Sequence, residues 1–177
     1  KGTAVCPAWQ MQAMDRRLGL GTAGTRSDGV RLADAAEAAQ RLSYGLGMGD
    51  FSCGGGNLWL EMASAGGADI LGLGQTTGAI APGLAADFLV VDLEVPELVP
   101  SWDLPWDLLR LGNRSQIEAV FVGGKLRLRN GWPVDWDGRA LMSRINELAT
   151  EAVAKAPILR LHGNSDQYAA FRREAGI

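Results

Sequence analysis

Histidine is almost missing from this chain: its 177 residues include one, and only two cysteines. A zinc site gathers three or four His, Cys or carboxylate ligands at about 2 Å. His162, in a tail beyond Pro157, and Cys6 and Cys53, without Cys-x-x-Cys spacing, do not make such a set. No metal ligand is therefore assigned. A Ser-His-Asp triad is excluded on the same ground, since His162 is its only possible base. Two cysteines make no disulfide framework and fit a reducing, cytoplasmic setting. A cationic excess is lacking too. The net charge is −3, without a basic stripe, which argues against a nucleic-acid partner held through phosphates. No apolar run approaches the ~20 residues of a membrane helix, so no membrane partner is expected. The glycine clusters around Gly19 and Gly54 lack the Lys-Ser/Thr of a phosphate loop.

What is present is an ordinary globular composition, 47% hydrophobic and 21% charged, with 24 glycines. The first segment reads as a strand over 3–6, a connection, a strand over 18–22, a turn rich in glycine and hydroxyls, and a helix over 30–46. Leu32, Ala35, Ala36, Ala39, Leu42 and Leu46 fall at helical spacing, with Arg31, Asp34, Glu37 and Arg41 on the wet face. Asp28 is placed to cap that helix. A second helix is expected over 57–71, and its small residues permit close approach of neighbouring backbone. The period then changes to strands over 87–93, 117–122 and 125–129, with a Gly123-Gly124 turn between the last two. A helix follows over 138–154, ended by Pro157, and the last twenty residues read as a tail with local structure only. Trp102, Trp106, Trp132 and Trp136 flank prolines and are expected to pack under the small sheet. The chain opens at Lys1, already inside strand-like sequence, and so reads as the later portion of something longer.

Three stretches carry a resemblance. The first runs from Met62 through Gly66, Gly67 and Ala68 to Leu73. The second has Gly78, Ile80, Pro82, Gly83, Ala86 and Asp87, then four apolar residues and Asp92. The third runs from Ile117 through Gly123 and Gly124 to Gly131. In this order, over about 18–131, they resemble the metal-dependent amidohydrolase superfamily, in its deaminase and chlorohydrolase branch. The first is similar to the helix after the last barrel strand, the second to a Gly-x-Ile/Leu-x-Pro-Gly-x-x-Ala-Asp signature, and the third to a closing hairpin. Asp87 and Asp92 themselves read as structural turn residues.

The resemblance implies an α/β fold, the C-terminal part of a (β/α)8 TIM-like barrel plus a small β-sandwich domain. It divides the chain into 1–75, the last barrel strands and helices; 76–136, the β-sandwich portion; and 137–177, a C-terminal helix and tail. In a barrel the site lies at the C-terminal ends of the strands. The stretch 18–22 would be the eighth strand, after which the family places Gly-Thr-Asp-Gly. This chain has Gly21, Thr22, Ala23 and Gly24. Ala23 thus stands at the position of the family's catalytic Asp, which is absent. Asp28, five residues on, is both a helix cap and a candidate for the missing carboxylate. Cys6, Trp9 and Thr25 are the candidate substrate-binding residues, although 9–17 equally reads as a surface helix.

A divalent metal, zinc, is implied for a complete family enzyme and none for this chain alone. The expected function is the C-terminal portion of a hydrolase that deaminates a C–N centre of a nitrogen heterocycle or amidine, inert in isolation. Its partners would be the missing N-terminal portion or a homo-oligomer subunit, and a small-molecule substrate. The alternative is a degenerate, non-enzymatic member retained for binding or assembly.

Overall fold

The computed structural model describes residues 6–22, 27–156 and 165–176, divided into two units, Lys1–Asp135 and Trp136–Ile177. In the first unit α1 is Ala8–Ala13 and α2 is Gly29–Gln40, running on through a π-helical turn, Arg41–Gly45, and Leu46–Met48. The Asp28 carboxylate accepts from the Arg31 N–H at 3.2 Å and opens α2 where the sequence places it. At Gly45 a Cβ would stand 2.5 Å from the Asp50 carbonyl oxygen, so only glycine lets the following loop fold back here. The expected helix over 57–71 is two helices, α3 (Gly55–Ala63) and α4 (Ala65–Ile70). They part at Ser64, whose φ of −126° and ψ of −94° are not helical and whose hydroxyl donates to the Leu60 carbonyl.

The strands form one antiparallel sheet in the order β1 (Phe88–Val91), β2 (Ile117–Val122), β3 (Lys125–Arg129) and β4 (Trp132–Pro133). Phe88 pairs with Phe121 and their rings stack at 4.7 Å. Between β1 and β2 the chain makes α5 (Leu104–Arg110), with Asp103 capping Trp106 and a proline in the first turn. It then makes a short 3₁₀ turn, Arg114–Gln116, closed by a capping box with Asn113. The second unit holds α6 (Gly138–Lys155), capped by Asp137, and α7 (Asp166–Ala175), capped by Ser165. The local structure within the tail is α7. Ser165 and Asp166 at the start and Arg172 and Arg173 at the end satisfy both ends of a helix dipole.

One further expectation changes. The stretch 18–22 has no strand partner among the described residues, and the Leu20 N–H instead donates to the Met62 carbonyl at 3.2 Å. The expected strand over 3–6 lies outside the described residues, apart from Cys6. The described part of 1–75 contributes helices, and 76–136 contributes the four-stranded sheet.

The core is helical. Ala33, Trp59, Met62 and Leu109 are buried together, with Ala8, Leu18, Leu20, Ala36 and Leu58 packed around them. The inward face of α2 is not the one its apolar residues predict. Ala33, Glu37 and Gln40 are buried on it, whereas Leu42 and Leu46 are exposed. Glu37 turns inward because two guanidiniums meet it, Arg41 one turn on and Arg110 from α5. Arg110 also reaches Asp34 at 3.0 Å and lies over the Trp106 ring. Trp106 is 40% exposed and Trp102 is 92% exposed, so neither ring is packed away as expected.

Candidate functional site

The turn that carries Ala23 and Thr25 lies outside the described residues, so the site is built from what enters and leaves it. Leu18 and Leu20 anchor the incoming segment on the helical core. Asp28 receives the outgoing chain, and one of its carboxylate oxygens is spent on the α2 cap. Of its two predicted roles, the cap is the one the structure displays. Ser27, Asp28 and Val30 help to line a groove of about 820 Å³. One wall of the groove is helical, with Leu60 and Leu109, and the other belongs to the sheet, with Leu89 and Ile117.

Cys6 and Trp9 are placed elsewhere. The Gln40 side chain grips both: its Nε2 donates to the Cys6 carbonyl at 2.7 Å, and its Oε1 accepts from the Trp9 N–H at 3.1 Å. The Trp9 ring covers Gly54, where a Cβ would stand 3.1 Å from it. Gln40 closes α2 and Asp28 opens it, so at 1.5 Å per residue the two ends are roughly 18 Å apart. The predicted site residues therefore fall into two groups, and α1, which bears Trp9, is the helix that was the alternative to a pocket wall. Gln40 itself was not singled out in the sequence. A lone glutamine in an alanine-rich helix carries no signal until the chain that it grips is in place.

The remaining candidates for chemistry are accounted for. The Glu37 carboxylate is 1% exposed and shared between two arginines, which makes it a link between α2 and α5 rather than a free base. Cys53 is fully buried, and burial pushes its thiol up from the ordinary value, away from the reactive thiolate. Asp87 pins the β2–β3 turn: its carboxylate accepts from the Gly123 N–H at 2.6 Å and from the Thr77 hydroxyl at 2.7 Å. These two bonds, the backbone one foremost, hold its carboxyl below the usual range. Asp92 accepts from the Glu94 N–H at 2.8 Å and shapes the exit of β1. Both aspartates are structural, as their turn positions suggested. No group of three or more His, Cys, Asp or Glu side chains among the described residues is placed to hold a metal ion. With one histidine in the whole sequence, the donors present do not fit a zinc site. Among the described residues, no helix is long and apolar enough to cross a membrane.

Comparison with known proteins gives a consistent result. Residues 5–127 match the model of the amidohydrolase family. A 5-methylthioadenosine/S-adenosylhomocysteine deaminase of Pelotomaculum thermopropionicum is 27% identical over 157 residues, covering 85% of this chain and 35% of its own length. A crystal structure of an adenosine deaminase from Xanthomonas campestris with bound zinc superposes with a TM-score of 0.76 at 25% identity, covering 84% of this chain and 34% of that one. A zinc complex of an atrazine chlorohydrolase from Arthrobacter aurescens has a TM-score of 0.69 at 23% identity, covering 80% and 32%. The chain spans about a third or less of the length of the curated relatives it matches.

Proposed function

The chain belongs to the amidohydrolase family, and from that premise we propose that it forms the C-terminal portion of a metal-dependent deaminase. In this reading 1–75 supplies the last strands and helices of a barrel, 76–136 part of a β-sandwich, and 137–177 a closing helical extension. The substrate is a small molecule with an amino group on a nitrogen heterocycle, of the adenine-nucleoside class that the names of its relatives point to. The divalent metal, zinc, and its histidine ligands come from outside this chain, either from a preceding portion or from another subunit. By itself the chain is inert, and its setting is cytoplasmic.

The observation that supports this most is the order of its parts. The 18–22 segment seated on the Met62 carbonyl, a capped helix, the Asp87-pinned turn and the Gly123–Gly124 hairpin follow one another within the stretch that the family model matches. The role of the chain is then positional. Ala23 occupies the sequence position at which the family places its proton-carrying Asp, and Thr25 is a candidate substrate contact. Asp28 holds the start of α2, and Cys6 and Trp9 belong to a second contact region gripped by Gln40.

Ala23 itself favours a second reading, in which the protein has lost catalysis and keeps a binding or assembly role. The two readings part in one experiment. The product of the whole open reading frame, with and without Ala23→Asp, is assayed for ammonia release from 5-methylthioadenosine and adenosine in the presence of zinc. The deaminase reading expects the variant to gain about 100-fold or more over its parent, the scale of a positioned acid–base group. If neither protein releases ammonia or retains zinc, the deaminase reading falls and the binding role stands.

A further inference from the structure

α6 is 18 residues long, and every residue of it after Gly138 is exposed. Leu141 is 45% exposed, Ile145 54% and Leu148 47%. A helix of this length in water draws most of its stability from burying an apolar face. The face is ordered: Leu141, Ile145, Leu148 and Ala152 follow one another at steps of four, three and four. That is the repeat of a coiled-coil seam, narrower than the stripe by which a helix packs into a domain core. In this repeat Arg144 and Glu151 flank the seam on one side, and Met142 and Ala149 on the other.

The flanking charges select the occupant. Arg144 and Glu151 stand two turns apart, about 10 Å along the axis, and do not meet on one helix. Arg144 pairs with Glu147 at 3.1 Å and Lys155 with Glu151 at 2.6 Å, both in exposed pairs that are weak and free to exchange. When a second α6 lies antiparallel on the first, Leu141 of one copy meets Ala152 of the other and Ile145 meets Leu148. Arg144 of each copy then comes beside Glu151 of the other, and the twofold axis makes this pair twice. Parallel helices would set Arg144 against Ala149 and Glu151 against Ala156, bringing no opposite charge to either. The opposed helix dipoles favour the antiparallel arrangement as well. We propose that α6 is a self-docking surface, on which two copies of the chain associate through antiparallel helices along Leu141, Ile145, Leu148 and Ala152. Four seam residues a side make less than a standard interface, so the dimer is reversible and depends on concentration.

The test is sedimentation velocity of the 177-residue chain over a concentration series, beside Arg144→Glu, Glu151→Arg, Ile145→Asp and Ser143→Ala. The parent should dimerise. Arg144→Glu and Glu151→Arg each set like charges together across the seam, and each should weaken the dimer by about tenfold or more. An equimolar mixture of these two variants should return to within about threefold of the parental affinity, because together they restore an opposite pair at both places. A helix damaged by either substitution is not repaired by mixing, so this response separates docking from folding. Ile145→Asp should abolish the dimer alone and in mixtures, and Ser143→Ala, on the far face, should leave it at the parental affinity. A parent that stays monomeric would overturn the proposal and leave the seam to another protein segment. So would association that the α6 variants do not weaken, or a loss in both charge variants that mixing does not reverse. Dimerisation is read without substrate or metal, so a failed deaminase assay would leave it untouched.

Discussion

The helical side of the first unit and its sheet are held by different physics. Among the helices, Trp59 is fully buried and Leu109 is 1% exposed, and the Trp59 indole donates to the Cys53 carbonyl at 2.8 Å. In the sheet, every residue of the four strands is half-buried or exposed. The sheet relies instead on its turns: the Asp87 latch, the positive φ of Gly123 and Gly124, and the Asn130–Gly131 turn before β4. Between the two lies the groove with Leu109 on one wall and Leu89 on the other. Burial stabilises one region, and hydrogen bonding with turn geometry stabilises the other. Substitutions in the two should therefore differ in size and in reach.

The largest effects belong to the helical side. Trp59→Ala should cost about 3–5 kcal/mol, the range for removing a large buried aromatic side chain. Urea unfolding followed by far-UV circular dichroism measures it, and exchange of the 117–129 amides shows whether the sheet follows. Retained hairpin protection would sharpen the contrast, whereas its simultaneous loss would break it. Glu37→Ala comes next. It leaves two part-exposed arginines, of which Arg110 keeps Asp34, so the loss should fall below the roughly 3–5 kcal/mol of breaking a fully buried pair from one side. Glu37→Gln keeps the shape and some of the hydrogen bonds, so its midpoint in the same titration should fall between those of the parent and Glu37→Ala.

These two residues also show how far the sequence could be read. The helix over 30–46, the Asp28 cap, the hairpin at Gly123 and the structural role of Asp92 were legible, because each depends on neighbours a few residues away; Asp87 read as a turn residue, but the Gly123 N–H that it accepts from lies 36 positions on. The inward turn of Glu37 was not. A charged residue reads as wet until Arg110, 73 positions along the chain, is brought against it. The same holds for Gln40, whose two partners lie 31 and 34 positions back. The stretch 18–22 has the composition of a strand, but strand pairing needs a neighbour, and a helix carbonyl satisfies Leu20 instead. In the candidate site the departure at Ala23 was visible, while the separation of Asp28 from Cys6 and Trp9 along α2 required the fold.

The sheet's own weak point is acidic pH. The folded-state pKa of Asp87 lies below its ordinary 3.8 because the Gly123 N–H and the Thr77 hydroxyl favour the carboxylate. The latch therefore adds stability that is fully present above the ordinary value and is lost as the pH falls through the lower folded one. Asp87→Ala removes it at any pH. Exchange of the Gly123 amide should then rise about tenfold at neutral pH, with little change at the helical core, as for a local opening. The parent should approach the variant's behaviour only on acidification below 3.8.

Asp28→Ala should have the smallest effect, and it bears most directly on the site. The cap bond to Arg31 is exposed and measures 3.2 Å, so its loss should cost about 1 kcal/mol, the usual worth of a cap. Asp28→Asn keeps an accepting oxygen and the cap preference while removing the charge. If Asp28 only caps, the asparagine variant should match the parent in urea unfolding, and in the product of the whole open reading frame it should bind zinc as the parent does. If its carboxylate substitutes for the one missing at Ala23, the asparagine variant should keep its stability and lose zinc affinity. A cap is defined by geometry and a ligand by charge, and this one substitution separates them.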